Sequence, residues 1–181
     1  MNRDLDHILD EYLAAEAAAG SRAALVQLVE RWTPRLLRHA GRVLRDPELA
    51  RDAVQETWAS ALPALRRLRD PARFPAWILG IASRRCVDLV RRAARSRRLG
   101  EGLAAEPIAA AGPDPDLALD LNAALARLPA DQRLAASLFY GEGLDLDAVA
   151  RAIGVSPAAV KGRLRLAREA LRPLLSQGDA P

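Results

Sequence analysis

Apolar residues recur at helical spacing along most of this 181-residue chain. The first such segment, residues 4–18, is predicted to be an amphipathic helix, because residues three and four positions apart share one helical face. Leucine and alanine dominate the apolar positions, and aromatic residues make up only 4% of the chain. Since this composition favours helices over strands, the pattern predicts an all-α fold. The apolar stripe of the first helix comprises Leu5, Ile8, Leu9, Tyr12 and Leu13.

Proline-containing signals divide the rest of the N-terminal half into further elements. Helices are predicted over residues 22–32, 33–44 and 46–62. The last two are expected to begin where they do because a Thr-Pro and an Asp-Pro pair each supply a cap and a first turn. An arginine-rich loop should follow at 63–73, and a long helix should begin at Phe74.

Residues 99–115 differ in composition from the segments on either side of them. Glycine, proline and alanine replace the periodic apolar pattern, so we predict a flexible linker. Fully extended, it would span on the order of 50–60 Å, which allows the flanking domains to sit well apart. The predicted organisation is two small helical domains, residues 1–98 and 116–175, joined by this linker and followed by a tail, residues 176–181.

Two short helices with a tight joint between them are predicted over residues 144–171. Gly154 can adopt the left-handed backbone that ends the first helix, and Ser156 and Pro157 suit the cap and first turn of the second. The second helix carries apolar residues on one face and small or cationic residues on the opposite face. Since small residues allow close approach to a groove and cations reach phosphates, we predict a helix-turn-helix whose second helix reads DNA.

A purely structural role is the alternative for this segment, because two amphipathic helices joined at a glycine also occur in proteins that bind no nucleic acid. The charge of the chain favours DNA: its net charge is +4, and seven arginines fall within residues 84–98. That number exceeds what a helix C-terminus needs to complement its dipole. We therefore predict a phosphate-facing surface formed by Arg84, Arg85, Arg91, Arg92, Arg95, Arg97 and Arg98.

The remaining residues favour a binding protein over an enzyme. His7 and His39 lack the spacing of a metal site, and neither a glycine-rich phosphate loop nor a catalytic triad is evident, so no metal or other cofactor is expected. Asp52 and Glu56, one helical turn apart, could form an acid–base pair. Arginines surround them, however, and a solvated or partner-binding face is the preferred interpretation. The single cysteine, Cys86, is expected to be a buried structural thiol.

The N-terminal residues lack the apolar core of a signal peptide. No apolar run approaches the roughly 18 residues that a membrane span needs. We therefore expect a cytoplasmic protein without membrane insertion.

Four segments follow one another around the predicted linker in a characteristic order. They are RWTPRLLRHAGRVLRD (31–46), ARDAVQETW (50–58), FPAWILGIASRRCVDLVRR (74–92) and the stretch from LPADQRL to LAREAL (128–171). Together they resemble the bacterial RNA polymerase sigma factors of the small, two-domain extracytoplasmic-function type. In that family these segments are the opening helix pair, the polymerase-binding segment, the −10 helix and the −35 domain.

The resemblance implies a role for particular residues of this chain. Asp52, Gln55 and Glu56 stand where family members dock on the clamp of the largest polymerase subunit. The implied −10 DNA-binding residues are Arg67, Arg69, Arg73, Arg84, Arg91 and Arg92. The implied −35 DNA-binding residues are Ala158, Lys161, Gly162, Arg163 and Arg165.

The expected function is that of a promoter-specificity subunit, which binds core RNA polymerase and recognises the −35 and −10 elements of promoter DNA. An anti-sigma protein is a further partner that the family implies. Two rivals remain at the level of the sequence. One is a stand-alone helix-turn-helix regulator with an N-terminal sensing or dimerisation domain, and the other is a helical enzyme that uses Asp52 and Glu56.

Overall fold

The computed structural model describes residues 2–98 and 124–175, and every regular element within them is helical. The all-α fold with a C-terminal helix-turn-helix is thus confirmed. The predicted linker (99–115) and tail (176–181) lie outside the described residues. The helices are α1 (Asn2–Ala18), α2 (Arg22–Leu44), α3 (Pro47–Leu65), a 3-10 turn (Pro71–Arg73), α4 (Phe74–Arg98), α5 (Ala130–Ala136) with a π-helical turn (Ser137–Gly141), α6 (Leu146–Ile153) and α7 (Pro157–Leu175).

Helix α2 is continuous, and the predicted break at residue 33 is wrong. Pro34 lies inside the helix. An internal proline removes one backbone hydrogen bond and costs about 3 kcal/mol. Trp32 and Leu36, on either side of it, are completely buried, and their packing offsets this cost. Thr33, which we expected to cap a new helix, instead accepts a hydrogen bond from the indole Nε1 of Trp58 at 3.0 Å.

Helix α3 begins where the sequence indicates but extends beyond its predicted end. The side chain of Asp46 accepts hydrogen bonds from the backbone N–H groups of Glu48 (2.9 Å) and Leu49 (3.1 Å). The helix then runs through Pro63 to Leu65. The predicted loop at 63–73 is consequently shorter, and its end is a 3-10 turn capped by Asp70.

Helix α1 packs on α2 through a face other than its largest apolar stripe. Of the five residues of the predicted stripe, Leu5, Ile8 and Tyr12 are 60% exposed or more, Leu9 is 41% exposed, and Leu13 alone is buried. The buried face also contains Asp10, whose Oδ1 accepts hydrogen bonds from Arg31 Nε (2.7 Å) and Trp32 Nε1 (3.0 Å). A carboxylate can occupy this buried position because two donors satisfy it.

The core of the N-terminal domain is built around an aromatic pair. The rings of Trp32 on α2 and Phe74 on α4 meet edge to face, with centroids 5.4 Å apart. Leu28, Leu36, Ile78, Leu79 and Cys86 are completely buried in the same core. The expectation of a buried structural thiol at Cys86 is confirmed, and burial raises its pKa to about 12.

The helix-turn-helix has the caps that its sequence predicts. The side chain of Asp145 accepts a hydrogen bond from Ala148 N, and that of Ser156 accepts one from Ala159 N. Gly154 ends α6 at φ 70°, in the left-handed region that favours glycine. The predicted apolar face of α7 is buried, as Val160, Leu164, Ala167 and Leu171.

The two domains pack directly against each other. Helix α4 of the N-terminal domain contacts α6 of the C-terminal domain, and α2 contacts the π-helical turn. Gly80 and Ala152 lie in this contact, because a Cβ built on Gly80 would be 3.3 Å from the Cα of Ala152. Buried side chains from both domains form one cluster. The linker length allowed the domains to sit well apart, but in this structure they are in contact.

Candidate polymerase and nucleic-acid interfaces

An acidic and amide face lies on the outer side of α3. Asp52 and Gln55 are exposed, and Glu56 is partly exposed. Glu56 Oε2 lies 3.7 Å from Arg85 Nη1 on α4, whereas Asp52 has no ion-pair partner within residues 2–98 and 124–175. The carboxylate of Asp52 is therefore available to a basic partner surface.

Arginines of the predicted −10 surface lie on the turn before α4. Arg67, Arg69 and Arg73 are all exposed. Asp70 organises this turn, because its side chain accepts a hydrogen bond from Ala72 N at 3.2 Å and pairs with Arg73 Nε at 2.9 Å. The side chains of Arg67 and Arg69 project from an ordered turn into solvent.

A row of cations continues along α4. Arg84, Arg91 and Arg95 are exposed and, at spacings of seven and four residues, share one face of the helix. Arg92 is also exposed, next to this face. Arg85 differs from these arginines, because it turns towards α3 and donates a hydrogen bond to Ser60 Oγ at 2.8 Å. Four of the seven arginines of the predicted phosphate-facing surface are thus exposed, and Arg85 instead links α4 to α3.

The N-terminal half of α7 presents the predicted reading face. Ala158, Lys161 and Arg165 are exposed, and Gly162 lies between them. Arg165 Nη1 pairs with Glu169 Oε1 at 2.7 Å on the same helix. Arg163 points elsewhere: its Nε lies 3.3 Å from Asp131 Oδ2 on α5.

A polar network lies between the two domains, and the sequence did not predict it. Arg35 Nε lies 2.7 Å from Glu142 Oε2, and Arg42 Nη2 pairs with Glu142 Oε1. The side chain of Glu142 is only 4% exposed. Arg35 also stacks on Trp32, with Cζ 4.5 Å from the ring centroid. Arginines recur every three or four residues along the second half of α2 and at its C-cap, a pattern that could have indicated a contact face: Arg31, Arg35, Arg38, Arg42 and Arg45.

His39 lies at the centre of the same interface. Its Nε2 is 3.1 Å from Ser83 Oγ on α4, and its Nδ1 is 3.3 Å from Ser137 Oγ of the C-terminal domain. Burial lowers the pKa of His39 to about 4, and the charges of Arg42 and Arg35 act in the same direction, while Glu142 opposes them. The ring is neutral at pH 7 and bridges two hydroxyl groups.

Neither a metal centre nor a membrane span emerges from the parts of the chain that are described. Within residues 2–98 and 124–175, no group of three or more His, Cys, Asp and Glu side chains could hold a metal ion. None of the described helices combines the length and apolarity needed to cross a bilayer.

Comparison with known proteins assigns this arrangement to a family. Residues 28–96 match Sigma-70 region 2, and residues 118–171 match Sigma-70, region 4. The chain is 32% identical over 166 residues to the ECF RNA polymerase sigma factor SigM of Mycobacterium tuberculosis, covering 92% of this chain and 84% of SigM. It is 34% identical over 179 residues to the ECF RNA polymerase sigma factor SigD of Mycobacterium bovis, with the same coverage. The chain belongs to the ECF RNA polymerase sigma factors.

Solved structures agree with this assignment. The sigma factor RpoE of Bartonella quintana, solved in complex with the anti-sigma factor NepR, superposes with a TM-score of 0.72 at 26% identity, covering 84% of this chain and 96% of that one. CnrH, solved in complex with the cytosolic domain of CnrY, gives 0.67 at 31% identity and covers 95% and 99%. This sigma factor is a promoter-specificity subunit of RNA polymerase, and the reading as a stand-alone regulator is not favoured.

Proposed function

We propose that this sigma factor docks on core RNA polymerase through Asp52, Gln55 and Glu56 of α3. The observation that carries the proposal is the exposed carboxylate of Asp52, which lies on the same helix as the exposed amide of Gln55 and has no ion-pair partner in the part of the chain that the structure describes. Opposite charges across an interface favour association and fix its register. A basic surface on the polymerase clamp is the complementary partner.

The −10 element is held by the arginines around the start and along the outer face of α4. Arg67, Arg69 and Arg73 are suited to a base extruded from the non-template strand, because extrusion costs a few kcal/mol that nearby contacts must offset. Arg84, Arg91 and Arg92 would bind the adjoining phosphates. The exposure of all six side chains supports this division of roles.

The −35 element is read by the N-terminal half of α7. Ala158 and Gly162 allow the helix to approach the major groove, while Lys161 and Arg165 contact phosphates or base edges. Arg163 is included in this surface on the strength of the family resemblance, although its present partner is Asp131.

The chain itself supplies no catalytic group, because phosphodiester chemistry belongs to the polymerase. The cytoplasm, where polymerase and chromosome are found, is the proposed compartment. An anti-sigma protein is the proposed regulator. Its support is that both superposed proteins were solved in complexes, one of them a sigma factor with a protein named as an anti-sigma factor.

A charge reversal tests the docking face. The variant Asp52→Lys should lower the affinity for core polymerase at least tenfold, measured by fluorescence anisotropy or native gel shift. The control is Glu30→Lys, which reverses an exposed carboxylate on α2. Circular dichroism should show both variants folded. Unchanged core binding by Asp52→Lys would place the docking site elsewhere. A failure of the wild type to direct core polymerase to any promoter in a library would contradict the function as a whole.

A further inference from the structure

Two arginines converge on one backbone oxygen. Arg45 Nη1, at the end of α2, and Arg133 Nη1, on α5, each donate a hydrogen bond to the carbonyl of Ala126 at 3.1 Å. The two nitrogen atoms are therefore no more than about 6 Å apart. Neither guanidinium has an ion-pair partner within residues 2–98 and 124–175. A carbonyl oxygen carries only a partial negative charge, so it does not neutralise two cations.

Arg133 is the more deeply buried of the two. It is only 9% exposed, and its buried Nε atom donates to no acceptor among the described residues. Burial lowers the pKa of its guanidinium, and the nearby charge of Arg45 lowers that pKa further. A buried cation with an unused donor destabilises a folded chain unless an anion accompanies it. Arg133 therefore lacks the negative charge that its environment calls for.

Arg45 occupies its position with a strained backbone. It is the C-cap of α2 at φ 60°, and it is the one residue other than glycine with positive φ in the described ranges. Glycine is common at this point of a helix, because a side chain is unfavourable in the left-handed conformation. Strained residues often have a functional role. Here the strain places a second cation beside Arg133.

We propose that Arg45 and Arg133 form a binding site for a small free oxyanion, of which inorganic phosphate is the simplest example. The planar fork of arginine matches the oxygens of phosphate and carboxylate groups. Charge-assisted hydrogen bonds are about 2.7–2.9 Å long, so one anion with several oxygens can span two donors about 6 Å apart. Arg45 is partly exposed and leaves a route to solvent. The burial of Arg133 favours a free anion over the phosphates of a duplex, which cannot leave their backbone.

A phosphate titration followed by NMR tests the site. Inorganic phosphate is added to the free, full-length chain against sodium chloride of equal ionic strength. The Nε–H signal of Arg133, assigned by its loss in Arg133→Lys, should shift and reach saturation. The comparison signal is that of Arg91, which is exposed on α4 and should not saturate. An Arg133 signal that stays unchanged, or that moves only as Arg91 does, would overturn the site.

A glycine substitution separates the cation of Arg45 from its backbone strain. Arg45→Gly should remain folded, because glycine is favoured at this φ. Loss of one charge-assisted hydrogen bond should weaken phosphate binding about tenfold in the same titration. The matched control is Arg127→Ala, which removes an exposed arginine next to Ala126 and should bind phosphate as the wild type does. Equal affinities in the two variants would mean that Arg45 does not bind the anion.

Unfolding by urea gives a second measurement that needs no assigned signal. A ligand that binds only the folded chain stabilises it, so phosphate should raise the wild-type midpoint above that in matched chloride. Arg133→Met keeps a long apolar stem without the charge, and its midpoint should be the same in both salts. If Arg133→Met gains as much from phosphate as the wild type does, the anion binds elsewhere.

The source of the phosphate group is tested with DNA. A duplex without promoter sequence, at the same concentration of phosphate groups, should leave the Arg133 Nε–H signal where matched chloride leaves it. A shift as large as that caused by inorganic phosphate would identify the nucleic-acid backbone as the ligand and would contradict a site for a free anion.

Discussion

A methyl group built on Gly80 of α4 would lie 3.3 Å from the Cα of Ala152 on α6, so the backbones of the two helices approach each other closely at this point. This contact joins the helix proposed for the −10 element to the first helix of the helix-turn-helix proposed for the −35 element. Glycine suits position 80 because it has no side chain to keep the two backbones apart. Alanine at position 152 is similarly small on the opposite helix.

A large side chain at position 80 should separate the domains. We expect Gly80→Leu to raise the radius of gyration, measured by small-angle X-ray scattering, from the value of a compact chain, about 16 Å, by several ångströms. Gly41→Leu is the control, because a Cβ at position 41 has nothing within 4 Å. An unchanged radius for Gly80→Leu would mean that α4 and α6 are not in contact in solution.

Acid should destabilise the fold through His39. Its pKa falls from 6.5 to about 4 on folding, chiefly by burial. The unfolded chain therefore binds a proton as the pH drops through 6.5, while the folded ring stays neutral until about pH 4. Above pH 6.5 His39 is neutral in both states and does not lower the free energy of unfolding. By pH 5 its protonation in the unfolded chain should lower that free energy by about 2 kcal/mol.

Urea unfolding of the wild type and His39→Gln at pH 7 and pH 5 measures this loss. The glutamine variant should lose less stability between the two pH values, because it has no ring to protonate. Equal losses in both proteins would assign the acid sensitivity to other groups.

Side chains on the exposed stripe of α1 should contribute little to stability. Leu5 and Ile8 are more than 60% exposed, and we expect each alanine substitution to change the free energy of unfolding by less than about 0.5 kcal/mol. Leu13→Ala on the buried face should cost about 2–5 kcal/mol. Denaturant titration measures both. A large loss at Leu5 or Ile8 would show that this stripe is buried in the free protein.

Alanine substitutions of two cations of α7, Lys161 and Arg163, should differ in how much they weaken DNA binding. Lys161 is exposed and has no ion-pair partner in the part of the chain that the structure describes. Lys161→Ala should weaken promoter binding by the holoenzyme and reduce the slope of log K against log salt by about 1. Arg163→Ala removes a contact with Asp131 on α5 and should leave that slope closer to the wild type. A larger effect at Arg163 would mean that it leaves Asp131 to bind DNA.

Local patterns predicted most of the helices correctly. The period of apolar residues depends only on helix geometry, so the buried face of α7 could be identified from the sequence. The caps of α3 and of the helix-turn-helix could be identified for a similar reason. Asp46, Asp145 and Ser156 each accept hydrogen bonds from backbone groups no more than three residues away.

Non-local packing explains what the sequence could not predict. The Thr33-Pro34 signal is local, and it is overridden because the buried side chains on both sides of it keep α2 continuous. On α1, a face containing Asp10 is buried because Arg31 and Trp32, more than 20 residues away, satisfy the carboxylate. Arg35 and Glu142 are 107 residues apart, and no spacing rule connects them.

The N-terminal domain contacts α6 and the π-helical turn of the C-terminal domain. With the domains in contact, Ala158 and Lys161 on α7 remain exposed, as do Arg84 and Arg91 on α4. Each of the two proposed DNA-binding surfaces is therefore accessible to DNA on its own while the domains are in contact. We expect the chain in this arrangement to hold DNA weakly, in a strongly salt-dependent way and without regard to sequence. The distance between the two surfaces would then decide which promoters are recognised, since neither surface has to be exposed first.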